Sequence, residues 1–157
     1  MNDNLSVALI NDVLGNSHCD LLLEAAIKKL EYRYSNYTVD ETYQIDGVTY
    51  TPYSDEHTYD KGHHCCVILD TNGNIHNDAF FHLALPIFLS AKDIYPELNI
   101  EKLLRMKVNA LEQQSDFPDY CYNIPHHDAV AIDKQLYSIV YYLNDSDGDT
   151  YLFNEYV

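Results

Sequence analysis

The chain has 157 residues, with 9 Lys and Arg against 25 Asp and Glu, a formal net charge of −16, 46% hydrophobic residues, and 15 Tyr but no Trp. That length suits a single domain over residues 1–157, and the apolar content excludes disorder as the main state. The acidic excess argues against direct nucleic-acid binding, because phosphate backbones are held through Lys and Arg and the densest basic stretch is only Lys102, Arg105 and Lys107.

Residues 1–15 have no basic leader or small-residue cleavage site, so they do not read as a secretory signal. The longest apolar stretch, residues 79–91, is interrupted by His82 and Pro86 and is too short to span a bilayer. Four cysteines are too few for a disulfide scaffold, and the adjacent Cys65 and Cys66 would bond to each other only with strain. The expectation is a soluble protein in a reducing, cytoplasmic setting.

In chain order, Leu21, Leu22, Ala25, Ile27 and Leu30 recur near helical spacing and predict an amphipathic helix over 20–34. Residues 35–64, rich in Tyr, Thr, Asp and Ser, read as short strands and loops at a sheet edge. A buried strand is expected over 65–69, a tight turn over 70–74, and a helix over 78–94 capped by Asn77 or Asp78. Between 99 and 114 the pattern suits a helix first and a strand from about Leu104. Residues 137–143 and 150–156 have strand character and predict a hairpin turning at Asp147-Gly148.

A His and an Asp two apart on a strand point the same way, so His-x-Asp can offer two ligands to one metal. With 8 His and 17 Asp, chance yields about one such pair, and the chain has three: His18/Asp20, His76/Asp78 and His126/Asp128. The first opens a helix, where residues two apart diverge by about 200°, and Asp20 reads as a first-turn acid. The second also leads into a helix, with Asp78 as a cap. His126/Asp128 follows Pro125 in an extended context and precedes the strand-rich segment at Tyr137.

Pro125-His126-His127-Asp128, the tyrosine-rich run from Tyr141 through Tyr142, Gly148 and Thr150, and residues 104–111 together resemble the 2-oxoglutarate and Fe(II)-dependent dioxygenases. The likeness is to the prolyl-4-hydroxylase-like members common in phages, and it covers about residues 104–153. It implies an α+β protein with a double-stranded β-helix, or jelly roll, flanked by N-terminal helices, placed in the host cytoplasm if viral. His126 and Asp128 would supply two of three Fe(II) ligands. Tyr142 resembles the family tyrosine whose hydroxyl bonds a 2-oxoglutarate carboxylate, and alternation sets it on the opposite face from Tyr141. The implied reaction couples oxidative decarboxylation of 2-oxoglutarate to hydroxylation of a C–H bond in a small molecule or protein side chain, with ascorbate as an accessory reductant.

In the family, a second His ligand and a basic residue for the far carboxylate of 2-oxoglutarate lie beyond the Gly-x-Thr turn. Here no His, Lys or Arg follows Lys134. The expectation is therefore either the front part of a longer oxygenase, with the jelly roll incomplete at its C-terminal side, or a relative with two ligands. The alternative function is a non-catalytic acidic binding module that keeps the fold without a complete metal site. A rival triad would use His76, Asp78 and His126 or His127, with Lys134 as carboxylate partner.

Other clusters carry less. His63-His64-Cys65-Cys66 has no spaced second pair, as a zinc site would. Asp145, Asp147 and Asp149 lack the calcium-loop spacing, because Gly148 falls at position four rather than six. Cys121 has only its nearness to His126 to suggest a nucleophile.

Overall fold

A computed structural model of the chain describes residues 8–35, 43–45, 48–50, 56–59, 62–111, 121–123, 136–145 and 150. The protein is α+β, with two helices and a three-stranded antiparallel open sheet. No described helix is long and apolar enough to cross a membrane. The jelly roll expected from the family likeness is not among the described elements: the described strands form one open three-stranded sheet and two separate two-stranded pairs.

Helix α1 (Asn16–Lys29) starts after Gly15, whose carbonyl accepts from the amides of His18 and Cys19 at 2.9 and 3.1 Å. Lys28 and Lys29 sit in its last turn, where cations oppose the partial negative charge of the helix end. Leu22, Ala26 and Leu30 lie four apart and are buried, while Leu21 and Ile27 face solvent. The helix thus begins four residues before the expected 20–34 segment and ends at Lys29. It stops there because Leu30 is extended and strand β1 (Arg33–Ser35) draws the chain into the sheet. Tyr32 secures this exit by donating its hydroxyl to the Ala26 carbonyl at 3.0 Å.

Strand β2 (Tyr43–Ile45) pairs antiparallel with β3 (Val48–Tyr50), in the region where short strands are expected. Strand β4 (Thr58–Tyr59) forms a short parallel pair with a later strand, Tyr122–Asn123. Strand β5 (His63–Leu69) is the middle of the main sheet. On one side it pairs with β1, setting Tyr34 opposite His64, and on the other with β6 (Met106–Ala110), setting Cys66 opposite Val108. The β1 side requires a glycine at position 62: a Cβ there would fall 2.4 Å from both the Ser35 carbonyl and the Tyr34 hydroxyl. The register with β6 slips between Val67 and Leu69, a bulge that puts Ile68 outside the regular pairing.

The turn after β5 is built by Asp70. One carboxylate oxygen accepts from the amides of Asn72 and Asn74 at 3.0 and 2.9 Å, and Gly73 takes φ +86°, a backbone that favours glycine. Helix α2 (Asp78–Ile94) follows, with Asn77 accepting from the Phe80 amide at 3.0 Å, so the expected helix and cap both form. Pro86 inside it lacks an N–H and leaves the His82 carbonyl without its usual helical donor. After a 3₁₀ turn (Pro96–Leu98), Asn99 adopts a left-handed backbone with φ 47°. That conformation ends the turn, and residues 99–105 form no helix, in contrast to the helix expected at the start of 99–114.

The core lies between the helices and one sheet face: Leu22, Ala26 and Leu30, Ile68 of β5, and Phe80 and Ala84 of α2. Cys66, Met106, Val108 and Leu143 pack around it. Cys66 and Ile68, like Met106 and Val108, are two apart and share a face, as the strand period requires. Ile68 is 0% exposed and Ile27 is 70% exposed. Ile68→Ala is therefore expected to cost about 2–5 kcal/mol, and Ile27→Ala to stay within about 0.5 kcal/mol. Urea denaturation of the two variants measures both, and equal losses would place the core elsewhere.

Candidate functional site

The three His-x-Asp pairs meet different fates. His18 donates from Nε2 to the Leu83 carbonyl of α2 at 2.6 Å, so it ties the two helices together. His76 turns its Nε2 to Asp70 at 3.0 Å, while Asp78 faces His82 at 3.3 Å one helical turn on. His76 and Asp78 thus have different partners, which disfavours the rival triad. Asp20 lies in the second turn of α1, where it is exposed and not a first-turn acid. His126 and Asp128 lie outside the described residues, as do His127 and Lys134. The described backbone nearest to His126 and Asp128 in sequence is β7 (Tyr122–Asn123), which pairs with β4 and ends three residues before His126.

Among the described residues no group of three or more His, Cys, Asp or Glu side chains is placed to hold a metal ion. His63-His64-Cys65-Cys66 is a stretch of β5 whose consecutive side chains alternate faces. Cys66 packs against the core, and burial pushes its thiol pKa up. All four cysteines are free thiols. Cys121 is buried.

Residues 137–143, expected as a strand, form neither strand nor helix, and the Asp147-Gly148 turn lies outside the described residues. Strand propensity is satisfied only by a partner ladder. Here side chains dock the segment instead. The Tyr141 hydroxyl lies 3.0 Å from Cys19 Sγ on α1, and Leu143 packs against the core. Tyr142, between them, is 56% exposed, and its hydroxyl is in hydrogen-bond contact with that of Thr150.

Two hydroxyls in contact share one hydrogen. Whichever donates, the other keeps a hydrogen free to point outward, so the pair offers an uncharged donor to an incoming carboxylate. Sequence reasoning singled out Tyr142 and the Gly-x-Thr turn. It missed the contact between Cys19 and Tyr141, which are 122 positions apart and share no local pattern.

The fold and this surface define an α+β protein with an exposed tyrosine–threonine hydroxyl pair. No protein-family model, curated protein or solved structure matches the chain.

Two titrations follow from the geometry. Asp70 accepts from the Asn74 side chain first, then from the Asn74 amide, His76 and the Asn72 amide, which brings its pKa down to about 2. A carboxyl lowered in the fold contributes stability above its unfolded value near 3.8, and that contribution fades as pH falls toward 2. Urea midpoints from pH 5 to pH 2 should therefore drop less in Asp70→Asn than in the parent; parallel curves would show that the turn carries no such linkage.

The Tyr141 hydroxyl is pushed up to about 12 by burial first and by Cys19 second. Its neutral form is favoured by folding, so this contribution is complete below pH 10 and is lost as pH rises through 12. In Cys19→Ala the Tyr141 ionisation should move down yet stay above 10, because burial remains. Difference titration of tyrosinate absorbance against Tyr141→Phe reads this, and an unmoved ionisation would separate the two side chains.

Proposed function

We propose that the protein is an Fe(II)- and 2-oxoglutarate-dependent oxygenase that hydroxylates a C–H bond of a small molecule or protein side chain. The observation that carries this reading is the Tyr142–Thr150 hydroxyl contact. It joins the two positions at which the sequence resembles the family's tyrosine-rich strand and Gly-x-Thr turn, and it leaves Tyr142 open to solvent. The antiparallel β5–β6 pair supports the reading too, since β6 falls within residues 104–111, which resemble the strand before the metal motif. In this reading the open sheet is part of a double-stranded β-helix.

The donor set of His126 and Asp128 fits Fe(II) in type, because imidazole and carboxylate leave positions for other ligands. Iron bound there, with 2-oxoglutarate and O₂, would supply the oxidising chemistry. The chain's own part is recognition: the Tyr142–Thr150 pair would donate its one free hydroxyl hydrogen to a carboxylate of 2-oxoglutarate. Ascorbate would serve as the accessory reductant.

Fe(II) with 2-oxoglutarate should raise the melting temperature, as any ligand of the folded state does, and turnover should release succinate. Both effects should vanish in His126→Ala and Asp128→Ala. Tyr142→Phe should weaken 2-oxoglutarate binding by about tenfold or more, the worth of one hydrogen bond to a charged group. Succinate formation that persists without iron or in His126→Ala would overturn the proposal. A melting temperature indifferent to both ligands would point instead to a non-catalytic acidic binding module.

A further inference from the structure

We propose that α1 acts as a positioning element for Tyr142, through the contact between Cys19 and Tyr141. The proposal rests on the reading of Tyr142 as a 2-oxoglutarate-binding residue. Cys19 lies in the first full turn of α1, where its amide donates to the Gly15 carbonyl at 3.1 Å. Its thiol has one hydrogen, which it donates to the Leu14 carbonyl 3.7 Å from Sγ. The sulfur is then free to accept from the Tyr141 hydroxyl at 3.0 Å. This chain of contacts fixes Tyr141 to the start of a helix whose own place is set by Leu22, Ala26 and Leu30 in the core.

The position of the tyrosine segment depends on this tether because the described residues 136–142 carry no strand ladder. In a sheet, backbone hydrogen bonds on both sides would hold Tyr142 whatever its neighbours did. Here the flanking side chains do the holding: Tyr141 on α1 and Leu143 against the core. With both neighbours turned inward, Tyr142 is left outward, toward Thr150. Cutting one tether lets the segment rotate about the other. A displacement of about 1 Å is enough to spoil a directed hydrogen bond to a ligand. Cys19 and Tyr141 are thus positioning residues, and neither touches the ligand.

The test uses the full chain labelled with 3-fluorotyrosine, and the Tyr142 ¹⁹F resonance is assigned by its loss in Tyr142→Phe. Tyr141→Phe and Cys19→Ala should each shift or broaden that resonance before any ligand is added. Cys19→Ser, which keeps a donor and an acceptor, should restore it. With Mn(II) as the metal, the dissociation constant of 2-oxoglutarate should rise by about 2–10-fold in Tyr141→Phe and Cys19→Ala, the range of one net hydrogen bond, and recover in Cys19→Ser.

A Tyr142 resonance unchanged in both Tyr141→Phe and Cys19→Ala would overturn the positioning role directly. A resonance that moves in those variants, together with unaltered 2-oxoglutarate binding in Tyr142→Phe, would instead overturn the reading of Tyr142, and the proposal with it.

Discussion

The structure depends on keeping one face of strand β5 dry. An open three-stranded sheet has two faces, and here Cys66 and Ile68, with Met106 and Val108 beside them, form the face that α1 and α2 cover. Burying a side chain such as Ile68 in full is worth about 1.5–3 kcal/mol. Other described elements are placed by this requirement. Helix α1 enters through Leu22, Ala26 and Leu30 and hands the chain to β1, while α2 returns over the sheet through the Asp70 turn. His18 then joins the helices directly through the Leu83 carbonyl, one residue past the carbonyl that Pro86 leaves without its helical donor.

Local signals in the sequence were sufficient where structure is decided locally. Helix α2 was legible to its ends because Asn77 is a strong cap and the apolar run behind it is long. The 70–74 turn was legible because the Asp70 carboxylate bonds the backbone that follows it and Gly73 takes a positive φ. Strand β5 was legible from its apolar second half, although it extends two residues earlier, to His63. The ends of α1 were not. Asn16 to Cys19 carry little apolar pattern, and Leu21 and Ile27 suggested a wider buried face than the one that packs. Residues 137–143 form no strand, and residues 151–156 of the segment expected to pair with them lie outside the described residues.

The candidate site shows the same division. Tyr141 and Tyr142 do part, one docked on α1 and the other exposed, but on a segment that is not the strand from which alternation was argued. Counting His-x-Asp pairs could not choose among three, but geometry narrows the choice. His18 is committed to α2, and His76 and Asp78 to Asp70 and His82. His126 and Asp128 lie outside the described residues. The Cys19–Tyr141 contact had no sequence signal at all, because a hydrogen bond across 122 positions exists only once the core has brought both ends together.

The charge of the chain makes demands on any anionic ligand. At a formal net charge of −16, a dicarboxylate such as 2-oxoglutarate approaches against a repulsive field, and its binding has to come from short-range donors that outweigh that field locally. A hydroxyl pair meets this need without adding a charge of its own. In the proposed function, Tyr142 and Thr150 would orient a hydrogen toward the ligand at little desolvation cost, because both are already exposed. Such a donor is useful only if its direction is held, since a neutral hydrogen bond weakens steeply as its angle departs from linear. The lack of a strand ladder around Tyr142 therefore transfers the burden of direction to Tyr141 and Leu143, and through them to the same helix and core that keep β5 dry.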